Sequence, residues 1–185
     1  MPTFDDLVDL ASERLGGNVL YATDDFFAEK ENLVKQAAPV WKEHEYTDRG
    51  KWMDGWESRR KRVAGHDYAI VRLGAPGVIR GIVVDTSFFR GNYPSHCSLE
   101  ACFASPEAQV EGLTDWIEIL PKSELKGDSL NELPIESPYA FTHLRFHIYP
   151  DGGVARLRVY GEVVPEWHRE GGLNRELDLA AVEHG

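Results

Sequence analysis

What most constrains this chain is a series of short β-type runs broken by turn residues. Asn18 to Ala22, Tyr68 to Leu73, Val78 to Asp85, Ser98 to Phe103, Trp116 to Leu120, Thr142 to Tyr149 and Val154 to Val164 are rich in aliphatic, aromatic and β-branched side chains. Gly, Pro, Asn and Asp cluster between them. No strand–helix–strand alternation appears, which argues against a doubly wound parallel sheet. The expectation is an all-β fold, an antiparallel β-sandwich or jelly roll. A short N-terminal helix is expected ahead of the strands. Leu7, Leu10, Ala11 and Leu15 recur at helical spacing, Thr3 can cap the segment, and Asp5 and Asp6 suit the positive end of its dipole. Gly16-Gly17 would end it. Gly74-Ala75-Pro76-Gly77 reads as the turn of a hairpin between its two flanking runs. Ala28 to Gly65 and Pro121 to Pro138 read as irregular segments.

At 185 residues the chain is the size of one domain. Lys and Arg number 20 against 31 Asp and Glu, a formal net charge of −11. An acidic surface is a poor match for nucleic acid, whose phosphates need a basic one, so no nucleic-acid partner is expected. No apolar run approaches the roughly 18–20 residues of a membrane span. Met1 to Asp6 lacks the basic-then-apolar layout of a signal peptide, so the cytoplasm is the default location. Cys97 and Cys102 are five apart, which on one strand places them on opposite faces. Both are expected to be free, packed thiols.

One local pattern recurs. Val8-Asp9-Leu10-Ala11 near the start is matched by Leu177-Asp178-Leu179-Ala180 near the end, each followed by a glycine exit. This resembles the opening of a second copy of the same unit. The expected division is one repeat over residues 1–176 and the start of a second, truncated repeat over residues 177–185.

Three groups of residues could carry chemistry. In the first, Leu144, Phe146 and Ile148 alternate with His143, Arg145, His147 and Tyr149, and Ala155, Leu157 and Val159 alternate with Arg156, Arg158 and Tyr160. Pairing the two runs through the Pro150-Asp151-Gly152-Gly153 turn sets Arg145 opposite Arg158, and like charges so placed repel. Facing carboxylates, a bound anion or a solvated outer face would each relieve this. Arg suits a carboxylate ligand because its planar fork makes two parallel hydrogen bonds. In the second group, Tyr46 to Arg62 mixes Trp52, Met53 and Trp56 with Glu57 and the basic run Arg59-Arg60-Lys61-Arg62. That run reads either as ion-pair partners for Asp24, Asp25 and Glu57 or as a substrate-binding patch. In the third, Asp24-Asp25 offers two carboxylates, short of a hard-cation site and more in keeping with a loop cap. His143 and His147 lie about 13 Å apart along a strand, too far to share a metal. Asp85-Thr86-Ser87 sits at a strand end, either a turn or a site. Glu100, among small and apolar residues, needs an Arg partner or would hold its proton.

An ordered series of motifs resembles the allantoicase family along nearly the whole chain. It runs Asp9-Leu10-Ala11, Ala22-Thr23-Asp24-Asp25-Phe26-Phe27, Asp48 to Glu57, Gly65-His66-Asp67-Tyr68, Arg72-Leu73-Gly74, Val84-Asp85-Thr86, Gly91-Asn92-Tyr93-Pro94 and Ile148 to Arg156. The resemblance implies a tandem pair of jelly-roll repeats similar to galactose-binding or discoidin-like domains. It implies hydrolysis of allantoate to ureidoglycolate and urea, with that small molecule as the substrate partner and a homo-oligomeric assembly. This chain departs from the family in lacking the second repeat. For the implied chemistry the candidate acid–base residues are Glu57, His66, Asp85 and Glu100, and the candidate substrate-binding residues are Arg59, Arg60, Arg145 and Arg156. No motif demands a cofactor, and a divalent cation stays open. The alternative is a non-catalytic discoidin-like module that holds a carbohydrate or other small ligand on its loops.

Overall fold

The computed structural model describes residues 4–165. The expected start of a second repeat at residues 177–185 lies outside them, as does the proposed cap Thr3. Among the described residues there are twelve strands: β1 Val8–Asp9, β2 Asn18–Ala22, β3 Tyr46–Thr47, β4 Gly50–Lys51, β5 Trp56–Glu57, β6 Asp67–Asp85, β7 His96–Cys102, β8 Ile117–Glu124, β9 Leu130–Pro134, β10 Ala140–Tyr149, β11 Gly153–Val154 and β12 Arg156–Val163. Every pairing is antiparallel. The described helical turns are short 3₁₀ segments. None is long and apolar enough to cross a membrane.

The fold turns on β6. Its first part pairs with β2 and β10, and β7 and β8 extend that layer beyond β10. Its second part pairs with β12 and β9, with β1 outside β12. One strand therefore feeds both layers of the sandwich, and Val71, Leu73, Ile79, Ile82 and Val84 line a shared core with Leu99, Leu144, Phe146, Ile148, Leu157 and Val159. The expected alternation in β10 is present, with Leu144, Phe146 and Ile148 all fully buried in this core. Cys97 joins the core and Cys102 a second cluster with Ile70 and Leu113, so the two thiols are free and occupy separate clusters. Burial pushes Cys97 up to about 12 and Cys102 up to about 11.

Four local expectations are corrected. The N-terminal segment is not a helix: 3₁₀ turns at Phe4–Asp6 and Glu13–Leu15 flank β1. Its hydrogen bonds go to the sheet instead, with the Leu10 N–H donating to Val159 O (2.7 Å) and the Gly74 N–H to Leu10 O (2.8 Å). Gly16, at φ 98°, does end the second turn. The segment from Gly74 to Gly77 is not a hairpin turn, because β6 runs straight through it. There the β10 register jumps from Phe141↔Gly77 to His143↔Arg72, a bulge that absorbs Pro76. A side chain on Gly77 would meet Leu10 Cδ1 at 2.6 Å and Glu162 O at 2.8 Å. The third correction concerns β10 and β12, which do not pair with each other: β6 lies between them. Arg145 therefore faces Glu100 rather than Arg158. Finally, Pro121 to Pro138 is not one loop but contains the end of β8 and all of β9.

Candidate functional site

An open cleft of about 590 Å³ lies at one end of the sandwich. Glu57, Ser58, Arg60 and Lys61 form one wall, and Asn92, Tyr93, Asp151 and Gly152 face them. Glu57 is held by the short strand β5. Its N–H donates to Ala28 O (3.1 Å), and its position in the ladder faces Gly153 of β11. Asn92 Nδ2 donates to Glu57 Oε1 at 2.7 Å. The Asn92 loop can come this close because Gly152 takes a φ of 130°, and a Cβ there would sit 2.6 Å from Asn92 O. Pro150, Asp151 and Gly152, from the motif expected to turn a hairpin, instead line the cleft. Burial pushes the Glu57 carboxyl above its ordinary value, with the Asn92 hydrogen bond opposing. Glu57 also borders a neighbouring chamber of about 380 Å³ lined by Phe27, Trp41, Met53 and Phe88.

The cationic wall is anchored from below. Lys61 Nζ lies 2.6 Å from Oδ1 of the fully buried Asp67, which also accepts from Thr23 Oγ1 at 2.7 Å. The Lys61 N–H donates to Asp151 Oδ2 (2.7 Å). Arg59 points elsewhere: its Nε lies 2.6 Å from Asp24 Oδ2, with 62% of its side chain exposed. Asp24 Oδ1 accepts from the Phe26 N–H (2.9 Å), the loop-capping role considered for it.

The other candidates divide. Glu100 and His66 meet through a residue outside the candidate set. Glu100 Oε2 lies 2.7 Å from His147 Nε2, and His147 Nδ1 lies 2.9 Å from His66 Nε2. Arg145 pairs with Glu100 at 3.1 Å and lies over the Trp116 ring, 4.4 Å from its centroid. Burial, then the neighbouring His147, holds His66 below its ordinary value. Asp85 is buried at a strand end, and its Oδ1 accepts from the Ser87 N–H (2.8 Å), the turn role. Arg156 is 1% exposed. Its guanidinium reaches Asp54 Oδ2 (3.0 Å), Ala37 O (2.9 Å) and Ala155 O (2.7 Å), so it ties the 37–54 segment to β12 and does not line the cleft. The three arginines of the expected anion face thus each have a carboxylate: Glu100 for Arg145, Asp54 for Arg156 and Asp9 for Arg158 (3.5 Å). Among the described residues, no group of three or more His, Cys, Asp or Glu could hold a metal ion.

A family profile described as the allantoicase repeat matches residues 8–164. The chain belongs to the allantoicase family. A probable allantoicase from Photobacterium profundum is 50% identical over 182 residues, covering 98% of this chain and 54% of the relative. The chain thus spans about half the length of the curated relatives it matches. The crystal structure of an allantoicase from Saccharomyces cerevisiae superposes with a TM-score of 0.74 at 35% identity, over 87% of this chain and 50% of that one. At the level of fold alone, a CBM32-3 domain from a Clostridium perfringens family 31 glycoside hydrolase matches with a TM-score of 0.57 at 15% identity, over 85% and 96% of the two chains. Set in this allantoicase repeat, Asn92, Lys61, Asp151 and His147 are the residues that reasoning from sequence missed. The signal for all four was present, since Lys61, Asn92, His147 and Asp151 lie in runs already singled out.

Proposed function

We propose that this chain is one repeat of an allantoicase that hydrolyses allantoate to ureidoglycolate and urea, a step of purine and allantoin breakdown. The observation that carries this reading is Glu57, a half-buried carboxyl with a raised pKa, held by Asn92 in a cleft it shares with Arg60 and Lys61. The reaction breaks one carbon–nitrogen bond, gives a proton to the departing ureido nitrogen and adds water oxygen to the central carbon. Arg60 and Lys61 would hold the substrate carboxylate. Glu57, keeping its proton to higher pH than an exposed carboxyl, would supply the proton to the leaving nitrogen. His66, held neutral, would take the proton of the attacking water. Departure of urea ahead of water addition, through an imine-like intermediate, fits this division of labour.

The enzyme is expected in the cytoplasm as a homo-oligomer, which sedimentation would test. The decisive experiment is Glu57→Gln in the full-length protein, assayed for urea release from allantoate. A fall of about a hundredfold or more in kcat is expected, and unchanged turnover would remove Glu57 from the role. Sugar binding without urea release from the unsubstituted protein would instead support the carbohydrate-binding alternative.

A further inference from the structure

The Glu100–His147–His66 chain has a chemical direction. An ionised carboxylate only accepts hydrogen bonds, so His147 must donate from Nε2 to Glu100. Neutral His147 then carries its lone pair on Nδ1. The 2.9 Å contact with His66 Nε2 needs one proton, and His66 supplies it. Neutral His66 is left with its free lone pair on Nδ1. Either ring alone could adopt the other tautomer; the chain excludes it.

We infer that Glu100, His147 and His66 form a proton relay in which His147 is a positioning residue that keeps His66 Nδ1 as the base atom. The inference rests on the reading of His66 as the base of the proposed reaction. A proton taken from water at His66 Nδ1 breaks none of the chain's hydrogen bonds. The bridging proton can then shift from His66 Nε2 to His147 Nδ1, which moves the positive charge beside Glu100. No proton is lost or gained within the chain beyond the one taken up.

The surroundings support a fixed geometry. Glu100 sits directly across the ladder from Arg145, and His147 sits between Tyr68 of β6 and Ser98 of β7. The His66 ring packs on Tyr149 with centroids 4.4 Å apart, and Tyr149 is covered by Lys122 on its ring (4.4 Å) and bonded through its hydroxyl to Ser98 Oγ (2.9 Å). The charged groups that act on His66 are Lys61, Lys122 and Asp67, besides His147 itself. Lys61, one of these groups, also lines the cleft and so connects His66 with the proposed substrate site.

The test combines nitrogen-15 NMR of the histidine rings with turnover of the full-length protein. At neutral pH both rings are expected to be protonated on Nε2 and bare on Nδ1. Asn at position 147 can set its side-chain oxygen near the place of Nδ1, so His147→Asn is expected to keep the His66 tautomer and most of the activity. His147→Phe should release His66 to a mixture of tautomers and lower kcat at least about tenfold with little change in KM. Protonation of His66 on Nδ1 in the unsubstituted protein would overturn the relay. So would a folded His147→Phe variant with full turnover. If His147→Phe does not fold, the unsubstituted and Asn proteins still decide the tautomer. The expected tautomers without any urea release from the unsubstituted protein would sink the proposed reaction and leave the relay standing.

Discussion

Arg156 shows how a residue type can point to one role and burial assign another. In an acidic sequence an arginine beside a Gly-rich turn reads as an anion anchor. Its guanidinium instead makes four hydrogen bonds, to the Ala37, Asp54 and Ala155 carbonyls and the Asp54 carboxylate, inside the molecule. Removing one member of such a buried pair strands the other. Arg156→Ala is expected to lower stability by about 3 kcal/mol in urea unfolding, with the loss read there rather than in substrate affinity. Glu57 went the other way. It was one carboxylate among many in a Trp-rich stretch, and what distinguishes it is the pairing of β5 with β11 and the approach of Asn92. Those contacts join residues 57, 92 and 153, which no local pattern in the chain connects.

At the scale of elements, runs of aliphatic, aromatic and β-branched residues bounded by turn residues predicted the strands. This reading located β2, β7 and β10 closely and failed where distant contacts hold the chain. The N-terminal segment has helical spacing of its leucines, yet Asp9 accepts from the Val159 N–H at 3.0 Å and stitches the segment to β12. That hydrogen bond to a distant strand outweighs a weak local helix preference. Glycine and proline at 74–77 read as a turn, whereas they mark the bulge where β6 passes between layers. Gly77→Val is therefore expected to destabilise the fold by about 1–3 kcal/mol through overpacking against Leu10 and the Glu162 carbonyl. A reduced denaturation midpoint with an unchanged slope would confirm it; no change would mean that Leu10 can move aside.

At the scale of the whole molecule, the chain is one allantoicase repeat matched to relatives about twice its length. One end of the sandwich holds the cleft, and the relay runs from Glu100 on β7 through His147 on β10 to His66, just ahead of β6. We expect the 185-residue chain alone to show weak or no turnover, and a protein carrying both repeats to release urea from allantoate. Full activity from the purified 185-residue chain would show that one repeat suffices.

Taken by itself, the sequence determined the all-β class, the inward faces of the principal strands, the free and buried state of both cysteines, and the family. These follow from alternation, composition and ordered motifs, all of which are local or additive along the chain. Only the tertiary structure decided that β6 is one strand serving two layers, that β10 and β12 are separated by it, and that Arg145, Arg156 and Arg158 each have a carboxylate. It also decided that Glu57 meets Asn92 and that His147 joins Glu100 to His66. Those outcomes depend on which distant segments become neighbours. In a sandwich, closure of the shared core settles that, because each buried strand edge must find a hydrogen-bonding partner.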